Sequence, residues 1–358
     1  MGKEIIRSLS VEGVPFAYRQ LKRGPEGPER APVPGPGAGP DGVRVPGPAG
    51  PGAGPDDARV PGPGAGPDAA RVPGDADAVT PPPGPVTEPV VVLGGALQGM
   101  YGWPQMDDHL GPLADVVTAD LPGMGSAGAL PPGPSAVLLR EAVTRIVDDL
   151  GAPRVNLFGF SYGTAIAFDW ARHHPGRVAR IALGGVPAHI SPAQRDHWQR
   201  AVERMTAGDP EGLATLAAEA LMCLDPERYV HRGALAQRYV RRSFLHALRT
   251  SPHAADSLVR ALGDRPDFSG GLTGVPALVF AGEHDTVTSP ERQREFAATV
   301  EGSRFLTLAD ADHWVVLERS DDVAELAARF FTDRPLPADR RSGPETRREY
   351  AAPGGRGA

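Results

Sequence analysis

Short, unbroken apolar runs alternate along this chain with longer stretches whose apolar residues recur every three or four positions. The runs predict buried strands at residues 89–93, 116–121, 155–158, 180–183, 277–281 and 304–308. The longer stretches predict helices at residues 101–113, 135–150, 164–174, 290–300 and 321–331, with Ser135 as the N-cap of the second. Strands that alternate with helices in this way form parallel sheets, so the pattern predicts an α/β fold.

Two parts of the chain depart from this alternation. Near the N-terminus, residues 4–10 and 15–21 predict a hairpin with Gly13 at its turn, placed at the edge of the sheet. Residues 189–262 show helical spacing without a convincing strand. We interpret this second part as a helical cap inserted into the core, because the strand pattern resumes after it.

A third part, residues 24–92, contains no Leu, Ile, Met or aromatic side chain. A span with so little apolar surface cannot offset the entropy that ordering would cost, so we predict that it is disordered. The motif Gly-Ala-Gly-Pro-Asp recurs in it at Gly37, Gly52 and Gly64, which we interpret as duplication by slippage rather than as a solenoid repeat. A proline-rich docking segment is the alternative role for this span.

These patterns predict one α/β domain with disordered additions, although 358 residues could hold two average domains. The uneven spread of the 40 Pro and 45 Gly favours the same organisation. The predicted parts are the N-terminal strands in residues 1–24, a disordered Pro/Gly-rich insertion in 25–88, the first part of the core in 89–188, the helical cap in 189–262, the second part of the core in 263–332 and a flexible tail in 333–358.

Composition narrows the classes of partner. The formal net charge of −7 gives no basic face for nucleic acid and no polybasic anchor for anionic lipid. The N-terminus lacks the long apolar segment of an export signal. The single cysteine, Cys223, cannot form an intramolecular disulfide, and its apolar helical surroundings predict a small buried hydrophobe. We expect a soluble, cytoplasmic protein without a membrane span, and the sequence leaves its oligomeric state open.

A candidate nucleophile lies where the third apolar run ends, in Gly159-Phe160-Ser161-Tyr162-Gly163, directly before a helical stretch. This places Ser161 at a strand-to-helix turn, where a serine hydroxyl can attack a substrate. The serine backbone is strained in such a turn, and side chains at Gly159 or Gly163 would collide with the neighbouring strand and helix. The five-residue motif is common by chance in a chain with 45 Gly, so its position between strand and helix carries the prediction.

A serine hydroxyl is a weak nucleophile at neutral pH and needs a base, usually histidine, which a carboxylate orients. Asp285 follows the penultimate predicted strand, and His313 follows the last one. Both therefore lie at strand ends, as Ser161 does, and we predict that the three form a catalytic triad. Glu283 and Asp312 are rival carboxylates, although Asp312 is too close to His313 along the chain to face its ring easily.

The order of nucleophile, acid and base, each after a separate strand, resembles the α/β-hydrolase superfamily over residues 89–331 apart from the cap. The resemblance implies a mostly parallel, doubly wound sheet. It assigns Ser161 as the nucleophile, Asp285 as the acid and His313 as the base. It also favours Asp285 over Glu283, since the family places its acid three residues after the loop glycine.

The same resemblance implies an oxyanion hole made of two backbone N–H groups. One belongs to the residue after the nucleophile, here Tyr162, and the other to the loop after the third strand, here Ala96. Many members of the superfamily have His-Gly in that loop, whereas this chain has Gly94 and Gly95. The glycines keep the flexibility of the backbone but lack the imidazole.

Five large apolar side chains are candidates for an acyl pocket beside the triad: Trp103, Trp198, Leu221, Met222 and Phe244. Core packing is the alternative role for each of them. The sequence contains no metal-ligand spacing and no phosphate-cradling glycine loop, so we expect no metal and no cofactor.

The predicted function is a serine hydrolase that forms an acyl-enzyme at Ser161 from a small-molecule ester or thioester and releases it to water. The first alternative is an acyltransferase that delivers the acyl group to an alcohol or amine. The loop 94–96, Asp120-Leu121-Pro122, and Leu317-Glu318 after His313 resemble acyltransferases that take hydroxyacyl chains from acyl carrier protein, which would then be a partner. The second alternative is a non-catalytic binding protein on the same fold.

Overall fold

The computed structural model describes residues 2–24, 87–96, 98–251, 253–263 and 266–337. The disorder predicted for residues 25–88 and the flexible tail predicted for residues 333–358 lie almost entirely outside this part of the chain. Among the described residues, every helix is too short or too polar to span a membrane.

The described strands form one mostly parallel sheet of eight. They are β1 (Glu4–Val11), β2 (Val14–Leu21), β3 (Val90–Leu93), β4 (Val116–Asp120), β5 (Val155–Phe160), β6 (Val178–Gly184), β7 (Ala277–Gly282) and β8 (Arg304–Leu308). Their order across the sheet is β1-β2-β4-β3-β5-β6-β7-β8. β2 pairs antiparallel with β1 and β4, and the other pairs are parallel. The predicted N-terminal hairpin is confirmed, with β1 at the sheet edge and Gly13 in its turn.

Helices cover both faces of this sheet. In the described residues they are α1 (Pro104–Leu110), α2 (Ala136–Asp149), α3 (Tyr162–His173), α4 (Pro192–Thr206), α5 (Pro210–Ala220), α6 (Gly233–Thr250), α7 (Ala254–Gly263), α8 (Pro290–Ala298), α9 (Val315–Glu318) and α10 (Ser320–Phe331). On β3, Val91 belongs to the apolar core that includes α2 and α3, whereas Val90 and Val92 belong to the core that includes α1 and α10. Strands buried on both faces need apolar residues throughout, which is why the central strands are unbroken apolar runs.

The helical spacing of residues 189–262 is confirmed by α4 to α7, but the prediction that Cys223 is a buried residue of a cap helix was wrong. The helix α5 ends at Ala220, so Cys223 lies in the loop beyond it and is half-buried rather than a core residue. Ser135 is the N-cap residue of α2, as predicted, although its side chain makes no capping hydrogen bond. The reason is its backbone, whose φ of −99° and ψ of −11° are already helical, while a capping side chain needs extended geometry.

A buried ion pair ties the N-terminal hairpin to the core. The Arg19 guanidinium on β2 donates to both carboxylate oxygens of Asp107 on α1, at 3.0 and 2.7 Å. Arg19 is 7% and Asp107 9% exposed. Burial raises the pKa of Asp107, even though Arg19 favours its charged form. Burial of this ion pair therefore costs a considerable free energy of desolvation.

We expect Arg19→Met to lower the free energy of unfolding by about 3–5 kcal/mol, because it leaves the Asp107 carboxylate buried without its partner. The double variant Arg19→Met/Asp107→Leu should recover most of that loss, since no buried charge is left unpaired; the Glu4 carboxylate, which Arg19 also binds at 2.6 Å, is exposed to solvent. Urea unfolding of the two variants and the wild type measures both effects. A single variant as stable as the wild type would show that the pair contributes nothing.

Candidate active site

Ser161 occupies the sharp turn between β5 and α3. Its backbone has φ +50° and ψ −119°, which a non-glycine residue adopts only when the surrounding structure enforces it. Here the Ser161 N–H donates to the Gly184 carbonyl at 2.8 Å, and the Ser161 carbonyl accepts from the Thr164 N–H at 2.9 Å. These bonds hold the serine at the carboxyl ends of the parallel strands, where it lines a pocket.

The glycines on either side of Ser161 allow the strand and helix to approach closely. A Cβ atom at Gly163 would lie 2.1 Å from the carbonyl oxygen of Leu93 on β3. A Cβ atom at Gly159 would lie 2.8 Å from the Cα of Thr164 on α3. Both distances are shorter than real Cβ contacts, so the collisions predicted from the sequence are confirmed.

The structure brings Ser161, His313 and Asp285 together in one row of hydrogen bonds. The Nε2 atom of His313 lies 3.1 Å from the Ser161 Oγ, and its Nδ1 atom lies 3.1 Å from the Asp285 Oδ2. His313 is 2% and Asp285 3% exposed. The Phe160 ring packs beside the imidazole, with 5.5 Å between the ring centroids. This geometry orients the imidazole so that Nε2 can accept the serine proton.

Asp285 is held in place by the turn that follows it. Its Oδ1 accepts the N–H groups of Val287 and Thr288 at 2.8 and 2.7 Å, and its Oδ2 accepts the Thr288 hydroxyl at 2.7 Å. Burial acts to raise the pKa of Asp285, but His313 and the hydrogen bonds from Thr288 outweigh it and lower the pKa below its usual value. The carboxylate therefore stays ionised next to the imidazole.

The rival carboxylates, Glu283 and Asp312, make other contacts. The Glu283 Oε2 accepts the N–H of Asp310 at 3.2 Å. The Asp312 Oδ1 accepts the N–H of Trp314 at 2.9 Å, and its Oδ2 accepts the N–H of Cys223 at 2.9 Å. The structure thus places Asp285, and not these two, against the His313 ring.

Glu318 is a buried carboxyl near the triad that the sequence analysis named only in the resemblance to acyltransferases, without a role in the site. It is 1% exposed, and its Oε2 accepts the N–H of Asp312 at 2.7 Å. Burial, and after it the neighbouring Asp312 carboxyl, raise the pKa of Glu318 to about 10. The signal in the sequence was an acidic residue directly after the apolar stretch Trp314-Val315-Val316-Leu317.

Three side chains in the described part of the chain lie close enough to reach a common metal ion. The possible ligand atoms of Glu283, His284 and Asp310 all lie within 4.8 Å of one another. However, the Asp310 Oδ2 is already 3.2 Å from the Arg319 guanidinium, and Glu283 binds the backbone of Asp310. Glu283 and Asp310 therefore join the two loops that carry Asp285 and His313, and the His284 N–H adds a bond between these loops to the Ala311 carbonyl at 2.7 Å.

The two residues predicted for the oxyanion hole, Ala96 and Tyr162, line the same pocket as Ser161. Tyr162 is the first residue of α3, where helix N–H groups point away from the helix. In the loop after β3, the Gly95 N–H donates to the Oε1 of Gln98 at 2.7 Å, which occupies that donor. The contact leaves Ala96 as the better candidate from this loop.

The pocket above Ser161 is a cavity of about 70 Å³. Of the five predicted pocket residues, Trp198, Leu221 and Phe244 line it. Trp103 and Met222 are not among its described lining residues. Both belong to the apolar core, and the Trp103 ring packs edge-on against Phe158 at 5.9 Å. The remaining lining includes residues that the sequence did not indicate: Pro187, His189, Ile190, Gln194, Leu258, Ala261, Val287, Thr288 and Trp314.

Gln194 connects the cap to the loop that carries the predicted acid. Its Oε1 accepts the N–H of Ser191 at 2.9 Å and completes a capping box at the start of α4. Its Nε2 donates to the carbonyls of Thr286 and Val287 at 3.0 and 2.8 Å. The first cap helix is thereby fixed against the turn that holds Asp285.

The family model described as alpha/beta hydrolase fold matches residues 88–320. Two relatives from bacteria are similar at the level of sequence. A "(R)-3-hydroxydecanoyl-ACP:CoA transacylase" of Pseudomonas aeruginosa is 22% identical over 241 residues, which are 64% of this chain and 76% of that protein. A "2-hydroxy-6-oxononadienedioate/2-hydroxy-6-oxononatrienedioate hydrolase" of Klebsiella pneumoniae is 24% identical over 258 residues, 68% of this chain and 87% of that protein.

Solved structures show the same fold. The enol-lactonase from Burkholderia xenovorans has a TM-score of 0.61 at 21% identity, and the match covers 91% of this chain and 100% of that one. A thermophilic esterase from Thermogutta terrifontis has a TM-score of 0.57 at 23% identity, covering 66% of this chain and 87% of that one. Since the family model spans more than half of the chain and the sheet agrees with its fold, the chain belongs to the alpha/beta hydrolase fold family.

Proposed function

We propose that this protein is a serine hydrolase that cleaves a small-molecule ester or thioester through an acyl-enzyme at Ser161. Membership of the family supports hydrolase activity in general. The observation that carries the finer proposal is the row of hydrogen bonds from Ser161 through His313 to Asp285, which opens onto a largely apolar pocket. A cytoplasmic location belongs to the same proposal, because the single cysteine forms no intramolecular disulfide.

In the proposed first step, the Ser161 Oγ attacks the carbonyl carbon of the substrate while its proton passes to the Nε2 of His313. The Asp285 carboxylate stabilises the imidazolium through Nδ1. The negative charge on the former carbonyl oxygen is bound by the N–H groups of Ala96 and Tyr162. The tetrahedral species then collapses: the bond to the leaving alcohol or thiol breaks, and the leaving group takes the proton from Nε2.

The second step repeats this chemistry with water. His313 takes a proton from a water molecule, whose oxygen attacks the acyl carbon on Ser161. The bond between the acyl carbon and the Ser161 Oγ then breaks, and the serine recovers its proton from Nε2. The apolar lining from Trp198, Leu221 and Phe244 would bind the acyl chain.

An acyltransferase with the same triad is the second candidate. It is favoured by the similarity to the Pseudomonas aeruginosa protein whose name describes transfer of a hydroxydecanoyl group from acyl carrier protein to CoA. The first half-reaction is the same, and an alcohol, amine or thiol replaces water in the second. Acyl carrier protein would then be a partner of this chain.

We expect a fluorophosphonate probe to label the wild-type protein at Ser161, because the activated Oγ attacks phosphorus as it attacks a carbonyl. Ser161→Ala should abolish labelling, while Ser303→Ala, which changes a serine outside the pocket, should retain it. Mass spectrometry of the labelled peptide identifies the site. Incubation with acyl esters and thioesters, with and without alcohol, amine or thiol acceptors, then separates hydrolysis from transfer. A wild-type protein that is never labelled would favour the non-catalytic alternative.

A further inference from the structure

The turn that carries His313 is held by a carboxyl group on each side of the histidine. Before it, the N–H of Asp312 donates to the Glu318 Oε2 at 2.7 Å. After it, the N–H of Trp314 donates to the Asp312 Oδ1 at 2.9 Å. Both peptide N–H groups that flank His313 therefore end on carboxyl oxygens that are nine-tenths or more buried. Because these contacts fix the backbone, they also fix the point from which the imidazole extends.

The same carboxyl pair reaches the cap. The second oxygen of Asp312, Oδ2, accepts the N–H of Cys223 at 2.9 Å. Cys223 lies in the connection between α5 and α6, close to Leu221, which lines the pocket. Asp312 thus joins the histidine turn to a cap loop that contributes to the wall of the pocket.

The charge of the pair is compatible with its burial only if one carboxyl holds a proton. Two adjacent buried carboxylates repel each other, and desolvation disfavours both charges. Burial, followed by the neighbouring Asp312, raises the pKa of Glu318 to about 10, and the negative charge of Asp285 adds to the effect. Glu318 is therefore neutral at neutral pH, while Asp312 accepts hydrogen bonds from two N–H groups.

We propose that Asp312 and Glu318 are positioning residues for the reaction: they hold His313 in line between Ser161 and Asp285 and couple its turn to the seating of the cap. The inference rests on the proposed function, since it assigns His313 as the base. Catalysis is sensitive to small displacements of a base, and a misplacement of about 1 Å can lower a rate on the order of 100-fold. The pair acts on the acyl-transfer step without touching the substrate.

The test compares Glu318→Leu, Glu318→Gln and Asp312→Asn with Asp322→Asn as the control, which changes an exposed carboxylate in the first turn of α10, four residues after Glu318. The rate of fluorophosphonate labelling reports the chemical step, and kcat and KM for an ester separate chemistry from binding. Glu318→Leu and Asp312→Asn should slow labelling and kcat about 10- to 100-fold, as outer hydrogen-bond partners of catalytic groups do, with little change in KM.

Glu318→Gln should retain wild-type labelling, because the neutral amide replaces a neutral carboxyl and its oxygen can still accept the Asp312 N–H. Wild-type labelling in both Glu318→Leu and Asp312→Asn would overturn the proposal, and so would a loss in Glu318→Gln as large as in Glu318→Leu. If Glu318→Leu does not fold, the labelling rates of Asp312→Asn and Glu318→Gln are compared instead, and this comparison alone tests the proposal. A wild-type protein without any labelling contradicts the proposed function instead, so the two failures are distinguishable.

Discussion

Ser161→Ala and His313→Ala should each lower kcat for an ester substrate by roughly 10⁴- to 10⁶-fold, because the members of a triad act as a unit. The fold should survive both changes: the His313 ring borders the pocket, and the strained backbone at Ser161 is held by main-chain bonds. Circular dichroism and thermal unfolding provide the control. If either variant keeps activity within tenfold of the wild type, the assignment of nucleophile or base is wrong.

Asp285→Asn should lower kcat by about 10⁴-fold, because it stabilises the wrong tautomer of the His313 imidazole. The Oδ1 position accepts two backbone N–H groups, so the asparagine oxygen must lie there. The amide nitrogen then faces His313 Nδ1 as a donor. Nδ1 must therefore lose its hydrogen, and Nε2 must carry it, so Nε2 cannot accept the serine proton. Glu283→Gln is the matched control, and an inactive Glu283→Gln beside an active Asp285→Asn would reverse the assignment of the acid.

Asp285→Asn should also change how the stability of the fold depends on pH. The pKa of Asp285 is lower in the folded protein than in the unfolded chain, so its charge stabilises the fold above the unfolded pKa. This contribution is lost as the pH falls through the folded pKa. Unfolding of the wild type should therefore be more acid-sensitive than unfolding of Asp285→Asn, measured by thermal unfolding at acidic and neutral pH.

The strand ends of the fold could be predicted because parallel strands bury both faces and stop at polar turns. The apolar runs predicted the central strands, and the carboxyl ends of parallel strands meet at one edge of a sheet. That topology is why the candidates Ser161, Asp285 and His313 could be selected far apart in the sequence. The structure places these three side chains in one row.

The parts that the sequence did not predict depend on contacts between segments. The apolar spacing of the cap does not show which of its side chains reach the pocket, and Met222, in the loop after α5, packs in the core. The role of Gln194 needs the position of the turn after Asp285, which no local pattern encodes. The role of Glu318 could not be predicted for the same reason, because its burial against Asp312 arises only when α9 packs beneath the loop after β8.

Trp198→Ala should broaden the range of acyl chains that the enzyme accepts. Trp198 and Ile190 line both the small cavity of about 70 Å³ at Ser161 and an adjoining cavity of about 410 Å³ between α4 and α7. The indole is 8% exposed and lies at the junction of the two cavities. Removing it should join them, so the acyl chain could extend into the larger space.

We expect kcat/KM for long acyl chains to rise relative to short ones by roughly 10- to 100-fold in Trp198→Ala, which is the worth of a few methylene groups in an apolar pocket. A series of p-nitrophenyl acyl esters measures the profile. Met222→Ala is the matched control, because it removes a cap side chain that packs in the core. It should lower stability by about 2–5 kcal/mol and leave the length profile unchanged. If Trp198→Ala keeps the wild-type profile while Ser161 is still labelled, the chain-length selector must lie elsewhere, in the loop after β3.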